Sequence, residues 1–357
     1  MKLAKRSFLS AALAGLMFTL APAASADTFR VTFSAAHGPQ LPWIGMIKNY
    51  FIPEVDKRLK EAGGKHNIVW TEAFGGTLAK IGGELQAVES GVAEMGFVYT
   101  IFEASKIPLQ AVCFMAPFGS DDARVMNKIM YELNTEEPAM VNEWTKHNQI
   151  FLAALSTDTD YVLSNFPINT IADLKGRKIG AAGSLSLWAS GIGAVPVQGD
   201  FATHFNNLKT GVYDGLIAFT TGMYPTKSHQ VAPFATRVDL GSMMIGALSI
   251  NKTFHDKLPP EVQKVIKDVG KDYNARIALT LHNLAIDFEK RMADEGAKFS
   301  RLPADERRKW AMTMPNIAKN WVDTNAKRSV PAQAVLSAYM KKMRENNVQL
   351  VRDWERN

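Results

Sequence analysis

Seven histidines stand at positions 37, 66, 147, 204, 229, 255 and 282, and the zinc chemistry they would support needs ligands at fixed spacing. No His-Glu-x-x-His occurs, nor any close pair with a third ligand nearby, so a zinc hydrolase is a poor fit. Gly183-Ser184-Leu185-Ser186-Leu187 lacks the second glycine of a nucleophile elbow. Gly75-Gly76-Thr77-Leu78-Ala79-Lys80 lacks the spacing and the Lys-Ser/Thr ending of a phosphate-binding loop, and Gly191-Ile192-Gly193 is not completed into a dinucleotide fingerprint. Carboxylates are abundant, but nothing singles out a pair for acid/base work. The sequence names no catalytic residue, no metal ligand and no cofactor site. Function is left to residues that can hold a solute.

Such residues need elements to position them, and from Asp27 the chain alternates strand and helix in the manner that builds a parallel sheet. Thr28 to Ser34 alternates apolar and polar residues as a strand, broken by His37-Gly38-Pro39. The spacing of Ile44, Ile47, Phe51, Val55 and Leu59 predicts a helix over 43–62. A strand over 67–73, a helix over 77–90 and a strand over 95–99 follow. Residues 121–147 read as a long helical segment interrupted near Pro138. The second half repeats the pattern, with strands over 150–155, 161–163, 195–197 and 216–219, another strand after Gly176, and helices over 183–193 and 201–210. From Pro259 the chain reads as helical, in runs 260–296 and 304–349. Two α/β lobes and a helical C-terminal third often close on a ligand, although fold alone does not establish function.

The 357 residues are 46% hydrophobic and 21% charged, which argues against collagen-like, disordered and disulfide-stapled classes and suits two domains. Lys2, Lys5 and Arg6 precede an apolar run from Phe8 to Leu20 and small residues from Ala21 to Ala26. This is the pattern of a signal peptide, residues 1–26, cut before Asp27. The run is too short for a comfortable bilayer span, so the mature protein is expected to be soluble and periplasmic. Those three cations supply half of the net charge of +6, and no Lys/Arg block with interleaved aromatics appears, so no nucleic-acid partner is expected. Cys113, the one cysteine, lies in an apolar stretch and reads as a buried, inert thiol.

Several stretches, in order along the mature chain, resemble the DctP-type solute-binding proteins of tripartite ATP-independent periplasmic (TRAP) transporters. They are Glu84-Leu85-Gln86-Ala87-Val88-Glu89-Ser90-Gly91, Ala116-Pro117-Phe118, Asp173-Leu174-Lys175-Gly176-Arg177-Lys178-Ile179, Gly193-Ala194-Val195-Pro196-Val197, Leu208-Lys209-Thr210-Gly211-Val212-Tyr213-Asp214-Gly215, and Ile250-Asn251-Lys252 followed by Leu258-Pro259-Pro260-Glu261. The resemblance implies a two-lobed α/β periplasmic binding protein of the Venus-flytrap kind, with discontinuous lobes and a hinge of crossing strands and a long helix. It maps residues 27–156 plus 245–284 to lobe I and 157–244 plus 285–357 to lobe II. It also implies a receptor, not an enzyme, that delivers a small organic solute to the small and large membrane subunits of a permease. A monomer is expected, with dimerisation through the charged C-terminal helices as the alternative. The competing classes are a periplasmic α/β enzyme and a ligand-binding protein for a sensory receptor.

Ligands of open α/β sheets gather at the carboxyl ends of strands. That rule selects residues 37–39, 74–77, 99–100, 156–160, 180–186 and 219–224 as the pocket. Most members of the resembled family carry an arginine directly after the Asp173–Ile179 motif, where its fork holds a substrate carboxylate. Here that position is Gly180, and the nearest match to a second, upstream arginine of the sialic-acid-binding branch is Asp160. Without a fixed cation a desolvated carboxylate costs several kcal/mol, so an aromatic or bulky solute other than a dicarboxylate is expected. Candidate walls are Trp43, Phe74, Tyr99, Trp188, Phe219 and Tyr224, and candidate polar contacts are His37, Asp158, Asp160, Ser184 and Thr220. Each has a plainer reading: core for Trp43, Trp188 and Phe219, a loop cap for His37, a hinge hydrogen bond for Asp160, and a strand-to-helix turn for Ser184.

Overall fold

The computed structural model describes residues 27–356, so the expected signal peptide lies outside the described residues. Strands β1 (Asp27–Ser34), β2 (His66–Ala73), β3 (Met95–Val98) and β4 (Gln149–Ser156) belong to one sheet. Strands β5 (Asp160–Ser164), β6 (Lys178–Gly180), β7 (Val195–Val197), β8 (Gly215–Phe219) and β9 (Phe234–Arg237) belong to a second. β10 (Met244–Asn251) returns to the first sheet and β11 (Lys298–Arg301) to the second. The orders are β2-β1-β3-β10-β4 and β11-β9-β5-β8-β6-β7. β1 runs parallel to β2 and β3, while β10 is antiparallel to both its neighbours. β5 is antiparallel to β8 and β9, and β6 is parallel to β7 and β8.

The chain therefore crosses directly between sheets twice, in the irregular segments 157–159 and 238–243, and the crossings are tied together. The Thr157 N–H donates to the Met243 carbonyl (3.0 Å), and the Ser242 hydroxyl to the Thr157 carbonyl (2.6 Å). The third connection is the helix Pro260–Asp294. Its buried residues Val262, Ile266, Val269, Tyr273, Ile277 and Leu281 recur every three or four positions and form a stripe against the first lobe. Gly270 lets it approach β4 closely, since a Cβ there would stand 3.0 Å from the Leu152 carbonyl oxygen. β4 is an edge strand, and its outward N–H groups need partners. Asn274 of the long helix accepts from Ala154 (2.8 Å), and Asn127 of the helix Ala123–Glu136 accepts from Ser156 (2.8 Å).

The strand and helix alternation read from the sequence is present, with corrections. The helix expected over 43–62 is divided by a π-turn at Ile47–Phe51, immediately before Pro53, which has no N–H to give the carbonyl four residues back. The helix expected over 77–90 spans only Glu84–Glu89, because Gly82 sits at φ 78° and the preceding residues form turns. The run 304–349 is three helices, Ala304–Thr313, Ile317–Ala326 and Ala332–Glu345, separated at Pro315 and Pro331. β9, β10 and β11 were not expected. The second lobe was mapped to include all of 285–357, but the last two helices pack on the first lobe. Trp321 donates to the Pro108 carbonyl (3.2 Å) and Lys342 pairs with Glu132 (2.7 Å) and Glu136 (3.0 Å). Cys113 is buried, and desolvation pushes its thiol up to about 12.

Candidate functional site

The carboxyl ends of both sheets converge on one cavity of about 30 Å³ between the lobes. From the first lobe come His37, three residues beyond β1, and Tyr99, Ile101 and Phe102, in the turn that follows β3. From the second come Ala182 and Leu185 after β6, Asp200, Phe201 and His204 after β7, and Ile217 and Phe219 of β8. Ile245 of β10 completes the wall. The lining is mainly apolar, and no lysine or arginine is part of it among the described residues.

Rings dominate the geometry. His37 stands edge-on to Tyr99 at 4.8 Å and near Phe201 at 6.2 Å, while Phe201 contacts His204 at 5.4 Å and Phe219 at 5.3 Å. Trp43 lies directly behind, 5.9 Å from Phe201 and 6.1 Å from Phe219, and its indole N–H donates to the Tyr99 hydroxyl (2.9 Å). The Tyr273 hydroxyl of the long helix donates to the Trp43 carbonyl (2.9 Å), so the hinge helix touches the shell of the cavity.

His37 is 6% exposed, and neither ring nitrogen has a partner. Burial lowers its pKa, against an opposing pull from the Asp200 carboxylate. Burial also takes His204 down to about 3, and its Nδ1 meets the Tyr213 hydroxyl at 2.6 Å. Both imidazoles are therefore neutral at neutral pH.

The sequence-derived candidates separate into three groups. His37, Tyr99 and Phe219 line the cavity, and Trp43 backs it. Asp158 and Thr220 meet each other at the hinge: the Thr220 N–H (2.8 Å) and hydroxyl (2.5 Å) and the Thr221 hydroxyl (2.5 Å) all donate to the Asp158 carboxylate. Asp160 is fully buried beside them, and neither of its carboxylate oxygens has a partner. The rest lie away from the lining. Phe74 packs edge-on against Phe33 at 6.0 Å, and Tyr224 lies between His229 (5.7 Å) and Phe288 (4.6 Å). The Trp188 indole donates to the Phe114 carbonyl (2.8 Å), and Ser184 is half-buried on the turn beside Leu185. Ala182 and Leu185 fall within the expected pocket segment 180–186, whereas Ile101, Phe102, Asp200, Phe201, His204, Ile217 and Ile245 lie outside every pocket segment read from the sequence. The carboxyl-end rule, applied to β7 as well, would have marked 198–204.

At Gly180 the backbone is roofed by Tyr213. A Cβ there would stand 2.8 Å from the ring, whose hydroxyl is held by His204 and by the Asn207 amide (3.2 Å).

The sequence profile of the DctP family, bacterial extracellular solute-binding proteins of family 7, matches residues 56–325. The chain belongs to that family, which consists of binding proteins and not enzymes. It is 31% identical over 153 residues to the C4-dicarboxylate-binding periplasmic protein DctP of Rhodobacter capsulatus, a match that spans 41% of this chain and 45% of that relative. A Bordetella pertussis extracytoplasmic solute receptor that binds pyroglutamic acid superimposes with a TM-score of 0.77 at 19% identity, covering 88% of this chain and all of the other (100%). A TRAP solute-binding protein from Rhodoferax ferrireducens, in complex with copurified benzoate, gives 0.77 at 19% identity over 89% of this chain and 98% of the other. The architecture is that of the two-lobed TRAP solute-binding proteins. No helix among the described residues is long and apolar enough to cross a membrane.

Proposed function

We propose that this protein is the extracytoplasmic receptor of a TRAP transporter, exported to the periplasm, that encloses one small organic solute between its lobes and delivers it to the membrane subunits of the permease. The observation that carries this reading is the ring-lined cavity at the converging strand ends, with residues from both lobes and from β10 in one wall. Family membership and the two-lobed architecture support it. Since Gly180 offers no side chain and no lysine or arginine among the described residues lines the cavity, the solute is bulky or aromatic and is not a dicarboxylate.

The test is a thermal-shift screen of residues 27–357 against organic solutes of varied charge, followed by calorimetry and product analysis. The expected result is saturable, stoichiometric stabilisation by one chemical group without turnover. Tight binding of succinate with failure of aromatic solutes overturns the ligand class. Product accumulation, or indifference to every solute, overturns the receptor assignment. Delivery is read separately, as solute uptake into proteoliposomes carrying the two permease subunits, with and without the receptor.

A further inference from the structure

We infer that the solute selected by this cleft is an organic cation, a protonated amine carried on an apolar or aromatic body. The inference rests on the receptor reading above and specifies its ligand. The polar groups in the cavity wall are His37, His204, Tyr99 and Asp200. Asp200 is the one carboxylate among them, and no lysine or arginine among the described residues lines the cavity beside it. Its Oδ1 accepts from the Ala202 N–H (2.8 Å) and from the Thr203 hydroxyl (3.5 Å), which fixes the carboxylate on the turn after β7. An anion entering here would face that carboxylate with no counter-cation, after losing its own hydration.

Two further observations point the same way. The rings of Tyr99, Phe201 and Phe219 close around the cavity, and aromatic faces attract ammonium groups, most strongly where water is excluded. His37 is buried with both nitrogens unpartnered, and a neutral imidazole has a lone pair that accepts an N–H. An ammonium group is a donor only. It satisfies the Asp200 carboxylate and the His37 lone pair together, while its apolar body occupies the space beside Ile101, Leu185 and Ile217.

The experiment compares three probes of nearly equal shape at pH 7.5: benzylamine, benzyl alcohol and benzoate. Binding is measured by calorimetry to the wild type and to Asp200→Asn, which keeps the oxygen that accepts from Ala202. Benzylamine is expected to bind the wild type about tenfold or more tightly than benzyl alcohol, with benzoate weakest. Asp200→Asn is expected to abolish the preference for the amine, so that benzylamine binds no more tightly than benzyl alcohol. Equal or tighter binding of benzoate or benzyl alcohol, or an unaltered benzylamine affinity in Asp200→Asn, overturns the inference and leaves the receptor reading standing. Failure of all three probes on folded wild type also overturns it. The receptor reading falls only if the wider solute screen fails as well.

Discussion

Gly180 and Tyr213 show how one missing side chain is compensated by another. A Cβ at position 180 would lie 2.8–3.1 Å from three atoms of the Tyr213 ring, closer than packed carbon atoms tolerate. The ring cannot swing aside cheaply, because its hydroxyl is held by His204 at 2.6 Å and Asn207 at 3.2 Å. Gly180→Ala is expected to cost about 1–3 kcal/mol through overpacking. In a Tyr213→Val background the same substitution is expected to cost almost nothing, because the opposing atoms are gone. Urea unfolding of the four proteins of this double-mutant cycle measures the coupling. Strict additivity would mean that the two positions do not share the space. At this scale the sequence was half legible. Gly180 stands out against a motif, but that Tyr213, 33 positions later and in a different turn, covers it follows only from the pairing of β6 with β8. Phe201 and His204 were read as the start of a helix over 201–210, yet that helix begins at His204, and the three residues before it are turn. The part of this loop that carries Phe201 into the cavity was thus hidden inside an expected helix, with Asp200 immediately before it.

At the scale of elements, the crossing between β4 and β5 concentrates carboxylates where the lobes join. Asp158 receives its hydrogen bonds from the first residues of the short helix Thr220–Met223, whose free N–H groups need an acceptor. Asp158→Ala would strand two buried hydroxyls and two N–H groups, and is expected to cost about 2–4 kcal/mol in chemical unfolding. A loss below about 0.5 kcal/mol would show that water replaces the carboxylate there. Asp160 is a different case. Burial first, and then the carboxylates of Asp158, Asp121 and Asp239, hold its pKa well above the ordinary carboxylate range. A pKa raised by folding contributes stability that is complete below the unfolded value of about 4 and is lost as pH rises through the folded value. Asp160→Asn stays neutral throughout, so its stability relative to wild type is expected to rise between pH 5 and pH 8. Unfolding midpoints at the two pH values check the sign, and a constant difference would place the ionisation elsewhere. The crossing itself was legible as the polar run Ser156–Asp160 between two strands. β10 was not, although all eight of its residues are buried: a strand buried on both faces shows no apolar/polar alternation to read, and its place between β3 and β4 is a fact of topology.

The whole molecule combines a cavity of about 30 Å³ with walls drawn from two lobes, and an aromatic solute needs several times that room. Admission therefore requires the lobes to separate, and three connections limit how they do so: the two tied crossings and the helix Pro260–Asp294. Trp188 of the second lobe donates to Phe114 of the first, and both belong to one continuous apolar core, so a rotation is expected and not a detachment. The contact that must break lies at the cavity rim, where Gly183, at φ 48°, meets the turn Thr100–Phe102. A Cβ on Gly183 would stand only 2.2 Å from the Ile101 carbonyl oxygen. Gly183→Val should then wedge the lobes apart while each lobe stays folded. Backbone strain alone is controlled by Gly176→Val, which also sits at positive φ (74°) but has open space around it. X-ray scattering is expected to show a larger radius of gyration for Gly183→Val than for wild type or Gly176→Val. Affinity for the best-binding probe should fall about tenfold or more in Gly183→Val alone. If all three proteins scatter identically and bind equally, the rim contact does not govern closure, and access to the cavity must come from side-chain movement around Phe201.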